Sequence, residues 1–337
     1  MGNPKNKTIG IVGGGQLGRM TILEARKMDI RVIVLTPEHP SPASDIADDY
    51  IIGSLYDEDK IRELASKCDI LTYEIEHINV AVLEEIEKSG KIVNPSAKVL
   101  KVIQDKSKQK ALLQANNLPT SNWDYINNDN LKDMINKYGY PVVQKSCTGG
   151  YDGKGVFVLK SEADIPNMIK GESFFEEYVP FEKEIAIMVA RNARGQVKTY
   201  PLVDMEFDPT TNMCDITVCP AKVSKEVEEK AKEIATKAIE ALDGYGIFGV
   251  EMFLTKDGEI LINEVAPRPH NSGHYTIEGC YTSQYEQYLR AIMNLPLGAT
   301  NYIKPNVMIN LFGEVGYSGE TLVEGFDEAD RKSTRLN

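Results

Sequence analysis

Between residue 8 and about residue 103 short apolar runs alternate with amphipathic stretches, and this alternation constrains the fold more than any other feature. Residues 8–12 lead into a glycine cluster, followed by a helical segment at 16–28 and a second apolar run at 31–35. Further on, 57–66 reads as a helix, 70–73 as a strand, 80–88 as a helix and 92–93 as another strand. Strands and helices taking turns in this way make parallel βαβ units, with helices on both faces of one sheet. An α/β, Rossmann-like domain spanning 1–103 is expected.

The texture then changes. Residues 107–114 read as a helix, Pro119 opens a linker, and strand-like runs around Val142, Val156 and Phe174 are separated by a glycine-rich loop. The runs 184–191 and 197–205 alternate as antiparallel strands do. The clearest helix is 223–242, where Val227, Ala231, Ile234, Ala235, Ala238 and Leu242 recur at helical spacing, and packing alone accounts for it. Two strands, 248–254 and 259–265, meet at a Lys256-Asp257-Gly258 turn. Residues 307–312 open another strand, and 330–337 fit no element. The part beyond residue 103 therefore reads as helices mixed with largely antiparallel strands.

Composition excludes several classes. At 337 residues the chain is too long for one core, and with 42% hydrophobic residues and 26 Gly and 16 Pro spread along it, disorder and coiled coil are ruled out. A net charge of −12 with no long basic run argues against nucleic acid or an anionic membrane as partner. The five cysteines lack CxxC pairs, so neither a disulfide frame nor a zinc site is indicated. No apolar run approaches a membrane span or a signal-peptide core, and a cytoplasmic location is expected.

Five constellations carry chemistry. Gly13-Gly14-Gly15-Gln16-Leu17-Gly18 matches GxGxxG between a strand and a helix, where free N–H groups attract an anion. A dinucleotide also needs an acid ending the second strand, but Thr36 and Pro37 stand there, so we read a turn serving another anion or a purely structural one. Lys145 to Gly155, containing Gly150, Tyr151, Asp152, Gly153 and Lys154, is a glycine-rich loop with lysines at both ends, suited to a polyphosphate but without Walker A spacing. Glu251 and Glu264 each interrupt an apolar strand, which is costly unless the charge is paired. With Asn263 they offer hard oxygen ligands for Mg²⁺ shared with nucleotide phosphates. Arg268, His270, Asn271, Ser272 and His274 crowd polar groups beside them and suggest substrate binding. Glu74, Glu76 and His77, ending a first-domain strand, face either the same cleft as Gln16 or solvent.

Together these residues resemble the ATP-grasp superfamily and, within it, the N5-carboxyaminoimidazole ribonucleotide synthetases. The resemblance runs through GGGQLGRM at 13–20, YEIEH at 73–77, VNPS at 93–96, QDKSKQK at 104–110, GGYDGKG at 149–155, NEVAPRPHNSGH at 263–274 and PNVMINLFG at 305–313. It implies a Rossmann-like first domain, an α+β ATP-grasp domain over 104–300 with a smaller lobe at about 119–180, and from 301 the start of a β-rich domain that is cut short. It also implies ATP-dependent conversion of bicarbonate to carboxyphosphate, whose carboxyl group passes to the amine of aminoimidazole ribonucleotide in purine biosynthesis, and it implies a homodimer. By the same resemblance Lys106 and Lys145 contact ATP phosphates, and the loop from Gly150 to Gly155 closes over them. Glu176, Glu177, Tyr178 and Val179 read adenine, and Glu184 holds the ribose. Gln16, Glu74, Tyr151, Asp152, Lys154, Arg268, His270, Asn271 and Ser272 are the expected ribonucleotide contacts. Asp152, Lys154, Arg268 and His270 form the catalytic set, with Asp152 steering the amine proton.

Two departures stand out. Asp204-Met205-Glu206-Phe207 replaces an Glu-Asn-x-His pattern, and a terminal Lys-x-Gly-His stretch is absent, hence the expected truncation. Two other kinds of function stay open at this stage. One is a different ATP-grasp ligase, like formate-dependent phosphoribosylglycinamide transformylase or biotin carboxylase; the other is a non-catalytic dinucleotide-binding module.

Overall fold

A computed structural model describes residues 7–150, 155–208, 213–313 and Gly325. Its first sheet is built on β1 (Thr8–Val12), apolar on both faces and buried from Ile9 onward, as a central strand of a parallel sheet must be. Around it lie β2 (Arg31–Thr36), β3 (Asp49–Ile52), β4 (Ile70–Tyr73) and β5 (Ile92–Val93), in the order β3-β2-β1-β4-β5 and all parallel. The helices α1 (Gln16–Lys27), α2 (Glu58–Lys67), α3 (Val80–Lys88) and α4 (Ala97–Ile103) complete the α/β unit. Asp57, Asn79 and Ser96 accept hydrogen bonds from the first-turn amides of α2, α3 and α4, which fixes where those helices begin. The half-exposed edge strand β3 has too little apolar pattern to announce itself in the sequence.

After α5 (Lys106–Ala115), a small antiparallel sheet forms from β6 (Trp123–Ile126), β7 (Val142–Ser146), β8 (Val156–Leu159) and β9 (Ser173–Glu177), in the order β6-β9-β7-β8. Its core is thin, centred on Val142, Leu159 and Phe175 beneath α6 (Leu131–Tyr138).

The large sheet contains β10 (Phe181–Arg191), β11 (Val197–Thr199), β12 (Val203–Phe207), β13 (Cys214–Cys219), β14 (Gly246–Thr255), β15 (Ile260–Ala266) and β16 (Asn306–Ile309). Its order is β15-β14-β10-β12-β13-β16, with β11 paired to β10. The run read as one strand over 197–205 is two, because Tyr200 turns inward to donate from its hydroxyl to the Thr282 and Ser283 carbonyls, and Pro201 has no N–H for a ladder. The run 307–312 keeps its strand only to Ile309 and pairs with β13 at this sheet's edge.

Amphipathic α7 (Lys225–Leu242) covers one face of the large sheet. The other face packs on the first domain: Ile9, Ile11 and Ile22 share a core with Ala186, Met188 and Tyr288. Tyr288, on α9 (Gln284–Ile292) just past the short α8 (Thr276–Gly279), bonds to the Thr72 hydroxyl and donates to the Tyr73 carbonyl at 3.0 Å. Among the described residues no helix is long and apolar enough to cross a membrane.

Candidate active site

The two interrupting carboxylates meet. β14 and β15 run antiparallel with Glu251 opposite Glu264, and the register shifts between Glu251 and Met252. That shift gives β15 one extra residue, Asn263. Ile262 and Val265 on either side are buried, so the bulge lets both Asn263 and Glu264 reach the cleft where strict alternation would send one inward. Lys106 at the start of α5 pairs with Glu264, and Asn263 Nδ2 lies 3.5 Å from Glu251 Oε2. Burial raises the Glu251 pKa, and the Glu264 and Glu184 charges add to it. Burial works the same way on Glu264, but Lys106 outweighs it and holds that carboxyl below its ordinary value. Among the described residues no three His, Cys, Asp or Glu form a metal cage by themselves. Two carboxylates are nevertheless the usual protein share of a Mg²⁺ held jointly with phosphates, and an excess of buried negative charge is what such a cation relieves.

Behind this pair lies a buried ionic cluster. Lys145 on β7 donates to Asn263 Oδ1 at 2.9 Å and lies 2.5 Å from Glu176 Oε2. Glu176 Oε1 accepts from Lys110 and from the Ser121 hydroxyl. Burial opposes ionisation of Glu176, yet Lys145 and Lys110 together bring it down to about 2. Lys110 itself is lowered to about 8 by burial, because Glu176 must neutralise Lys145 as well. Sequence reading missed Lys110, although its place four residues after Lys106 on one helix face was a usable signal.

Past Glu177 the chain leaves the small sheet. Glu177 N–H donates to the Asn122 carbonyl at 2.9 Å, Tyr178 is 45% exposed, and the Val179 carbonyl accepts from Phe181 N–H. Glu184, on β10 opposite Phe253, is raised to about 7 by burial, with Lys145 opposing. Gly150 and Gly155 bracket the glycine loop. Gly155, at φ +79, has its carbonyl take the Ser146 N–H at 2.9 Å. Tyr151, Asp152, Gly153 and Lys154 lie outside the described residues.

The 266–274 segment closes the cleft. Arg268 Nε is 2.8 Å from Glu76 Oε1, joining the two domains across it. His270 Nδ1 accepts from Ser272 N–H at 3.3 Å and sits 2.9 Å from the Ser272 hydroxyl, so Nε2 carries the hydrogen and points to Glu251 Oε1, 3.3 Å away. Burial, reinforced by Arg268, lowers His270 to about 3 and keeps it neutral. Its ring fits because residue 249 is glycine: a Cβ there would lie 2.7 Å from His270 Cβ and Cγ. Ser272 is 1% exposed and orients His270, and Asn271 Oδ1 accepts from Asn310 just past β16. His274 is held by Gln284 and Tyr285.

The glycine turn has its anion already. The Glu74 carboxylate, 7% exposed, accepts from the amides of Gly15 and Gly18 at the start of α1. Any Cβ at residue 13 would lie 2.4 Å from Glu74 Cγ, which explains that glycine. Glu74 is the anion that this turn holds, and two of the N–H groups a dinucleotide pyrophosphate needs are taken. Gln16 beside it is exposed. In the departing 204–207 stretch, Asp204 accepts from Lys222 N–H and pairs with Lys183 at 3.1 Å, while Met205 is in the core.

An ATP-grasp domain profile matches residues 111–285, and a ribonucleotide synthetase preATP-grasp domain profile matches residues 6–104. The chain is 41% identical over 329 residues to phosphoribosylaminoimidazole carboxylase of Ogataea methanolica, covering 94% of this chain but only 60% of that one. It superposes on the crystal structure of N5-carboxyaminoimidazole ribonucleotide synthetase from Thermotoga maritima with TM-score 0.89 and 48% identity, over 96% of this chain and 86% of the other. The Aspergillus clavatus N5-carboxyaminoimidazole synthase, crystallised with ADP and 5-aminoimidazole ribonucleotide, matches with TM-score 0.87 and 36% identity, over 93% and 84%.

Proposed function

This chain belongs to the N5-carboxyaminoimidazole ribonucleotide synthetase family of ATP-grasp proteins, and from that premise we propose that it uses ATP and bicarbonate to carboxylate 5-aminoimidazole ribonucleotide. A bicarbonate oxygen attacks the γ-phosphorus, ADP leaves, and carboxyphosphate forms. The exocyclic amine then attacks the carboxyl carbon, the carbon–oxygen bond to phosphate breaks, and the nitrogen loses a proton. Such phosphoryl transfer needs charge neutralisation and positioning more than a covalent nucleophile.

The residues divide that work. Lys106 and Lys145 place ammonium groups against the transferring phosphates, and the loop from Gly150 to Gly155 covers them. The 176–179 segment and Glu184 hold the nucleoside. Glu251 and Glu264, with Asn263 beside them, would hold Mg²⁺, which when bound offsets phosphate charge. Arg268 and His270 line the ribonucleotide side, His270 as a neutral donor. Asp152 and Lys154 complete this reading as the acid that steers the amine proton and its cation neighbour, and a homodimer belongs to the same proposal. The observation that carries it is the opposed Glu251–Glu264 pair with Lys106 and Lys145 converging on it. The Glu74-filled turn disfavours the dinucleotide-binding alternative.

Phosphate release from MgATP and bicarbonate, with and without aminoimidazole ribonucleotide, tests the assignment. Strong stimulation by the ribonucleotide is expected. Release that ignores it, or that responds equally to glycinamide ribonucleotide, would point to another ligase of the superfamily.

A further inference from the structure

Lys110 is the most deeply buried cation of the cleft wall, and the reaction described above gives it no task. Its side chain is 3% exposed, as is that of Glu176. The ammonium group has three acceptors: Thr120 Oγ1 at 2.7 Å, Ser121 Oγ at 2.8 Å and Glu176 Oε1. All three of its hydrogens are therefore spent inside the protein, and none is left for a phosphate. What Lys110 touches is nonetheless connected to the cleft. Glu176 holds the Lys145 ammonium with its second oxygen, and Lys145 reaches Asn263 between the two metal-type carboxylates. Thr120 in turn donates to the Ile262 carbonyl at 2.8 Å, one residue before Asn263.

We propose that Lys110 is a positioning residue for nucleotide binding: by taking one oxygen of Glu176 it leaves only the other to Lys145, so that the Lys145 ammonium stands forward beside Asn263, where a polyphosphate can reach it. This inference rests on the ATP-grasp reading of the cleft. Without Lys110, both oxygens of Glu176 turn to Lys145 and draw it back, and the cleft wall loses one positive charge. Lys110 also ties the small sheet, through Glu176 at the end of β9, to the 119–121 segment that is anchored on β15. The same contact thus sets the relative placement of the two walls that enclose the nucleotide.

The test is MgADP affinity by calorimetry, without bicarbonate or ribonucleotide, on wild type, Lys110→Met, Glu176→Gln and the double variant. Lys110→Met should weaken MgADP binding about tenfold, and adding it to Glu176→Gln should weaken binding less than about threefold further, as coupled residues do. The KM for aminoimidazole ribonucleotide should stay within about twofold of wild type, whereas a merely structural lesion would lower the melting temperature and leave the affinity of the folded protein unchanged. Unchanged MgADP affinity in folded Lys110→Met, or full additivity in the double variant, overturns the proposal. If Lys110→Met does not fold, Thr120→Val removes one acceptor without changing charge; it should weaken MgADP about two- to threefold, and no change overturns the proposal equally. Failure of the reaction assignment reads out separately, as wild type that binds MgADP but releases no phosphate in response to the ribonucleotide.

Discussion

Replacing Glu251 by Gln should stabilise the metal-free protein while ending the Mg²⁺-dependent ATP turnover proposed for it. The two effects have one cause. Directly opposed residues on antiparallel strands have Cβ atoms about 5 Å apart, so the Glu251 and Glu264 carboxylates sit close to one another. At about 6 Å and an effective dielectric of about 20, two like charges repel by about 3 kcal/mol; burial and this repulsion raise Glu251 to about 8, so at neutral pH the metal-free fold holds it largely protonated, at a cost of similar size. Lys106 neutralises part of the Glu264 charge, and His270 and Asn263 lie near the Glu251 oxygens, so only some of that repulsion is uncompensated. Gln keeps the shape and one oxygen for His270, and it removes the charge. A net gain of about 1–2 kcal/mol in EDTA is expected, read as a higher urea midpoint at unchanged slope. Adding Mg²⁺ and ADP should stabilise wild type far more than the variant, reversing the order. A variant less stable than wild type in EDTA, or one that keeps Mg²⁺-dependent turnover, would refute the reasoning.

Three other substitutions probe separate parts of the account. Glu176→Gln leaves Lys110 and Lys145 sharing no anion and should destabilise the fold by about 3–5 kcal/mol in chemical denaturation. Because the Glu176 carboxyl is lowered from 4.5 to about 2, its stabilisation is present above pH 4.5 and lost as pH falls toward 2, so the variant should show a flatter acid-unfolding curve in that window. Gly249→Ala pushes a methyl group against His270 and should raise the KM for the ribonucleotide more than that for ATP in steady-state kinetics. Tyr288→Phe removes the hydroxyl that joins Thr72 and Tyr73 across the domain contact and should cost about 1–2 kcal/mol on urea unfolding, with little change in MgADP affinity.

Much of the architecture was legible because burial imposes periodicity. The strands Ile70–Tyr73 and Ile92–Val93 and the helix Val80–Lys88 were readable to the residue, each bounded by a cap or a polar break. The acid pair was legible too, since Glu in an apolar strand demands a partner. What the sequence withheld depends on contacts distant in the chain. The bulge that turns Asn263 and Glu264 to one side exists only in the pairing of β14 with β15, and no run of residues encodes it alone. The glycine turn gave away its appetite for an anion but not its source, because Glu74 is 56 to 59 residues away from the amides it binds. Lys110 is one of three lysines within 106–110, and what sets it apart is Glu176, 66 residues on, which pairs with it. That Ser272 is buried and bonded to His270 likewise depends on the fold and not on its polar neighbours in the chain.

The most direct test of the account follows an oxygen atom. If bicarbonate attacks ATP to give carboxyphosphate, the oxygen that bonds to phosphorus stays with it when the carboxyl group moves to the amine. Turnover of aminoimidazole ribonucleotide with MgATP and ¹⁸O-labelled bicarbonate, quenched before bicarbonate exchanges with water, should therefore give inorganic phosphate carrying one ¹⁸O, seen as an isotope-shifted ³¹P resonance. Phosphate formed without label, at a rate matching ATP consumption, would mean that water rather than bicarbonate meets the γ-phosphorus, and would contradict carboxylation as the use to which this cleft puts ATP.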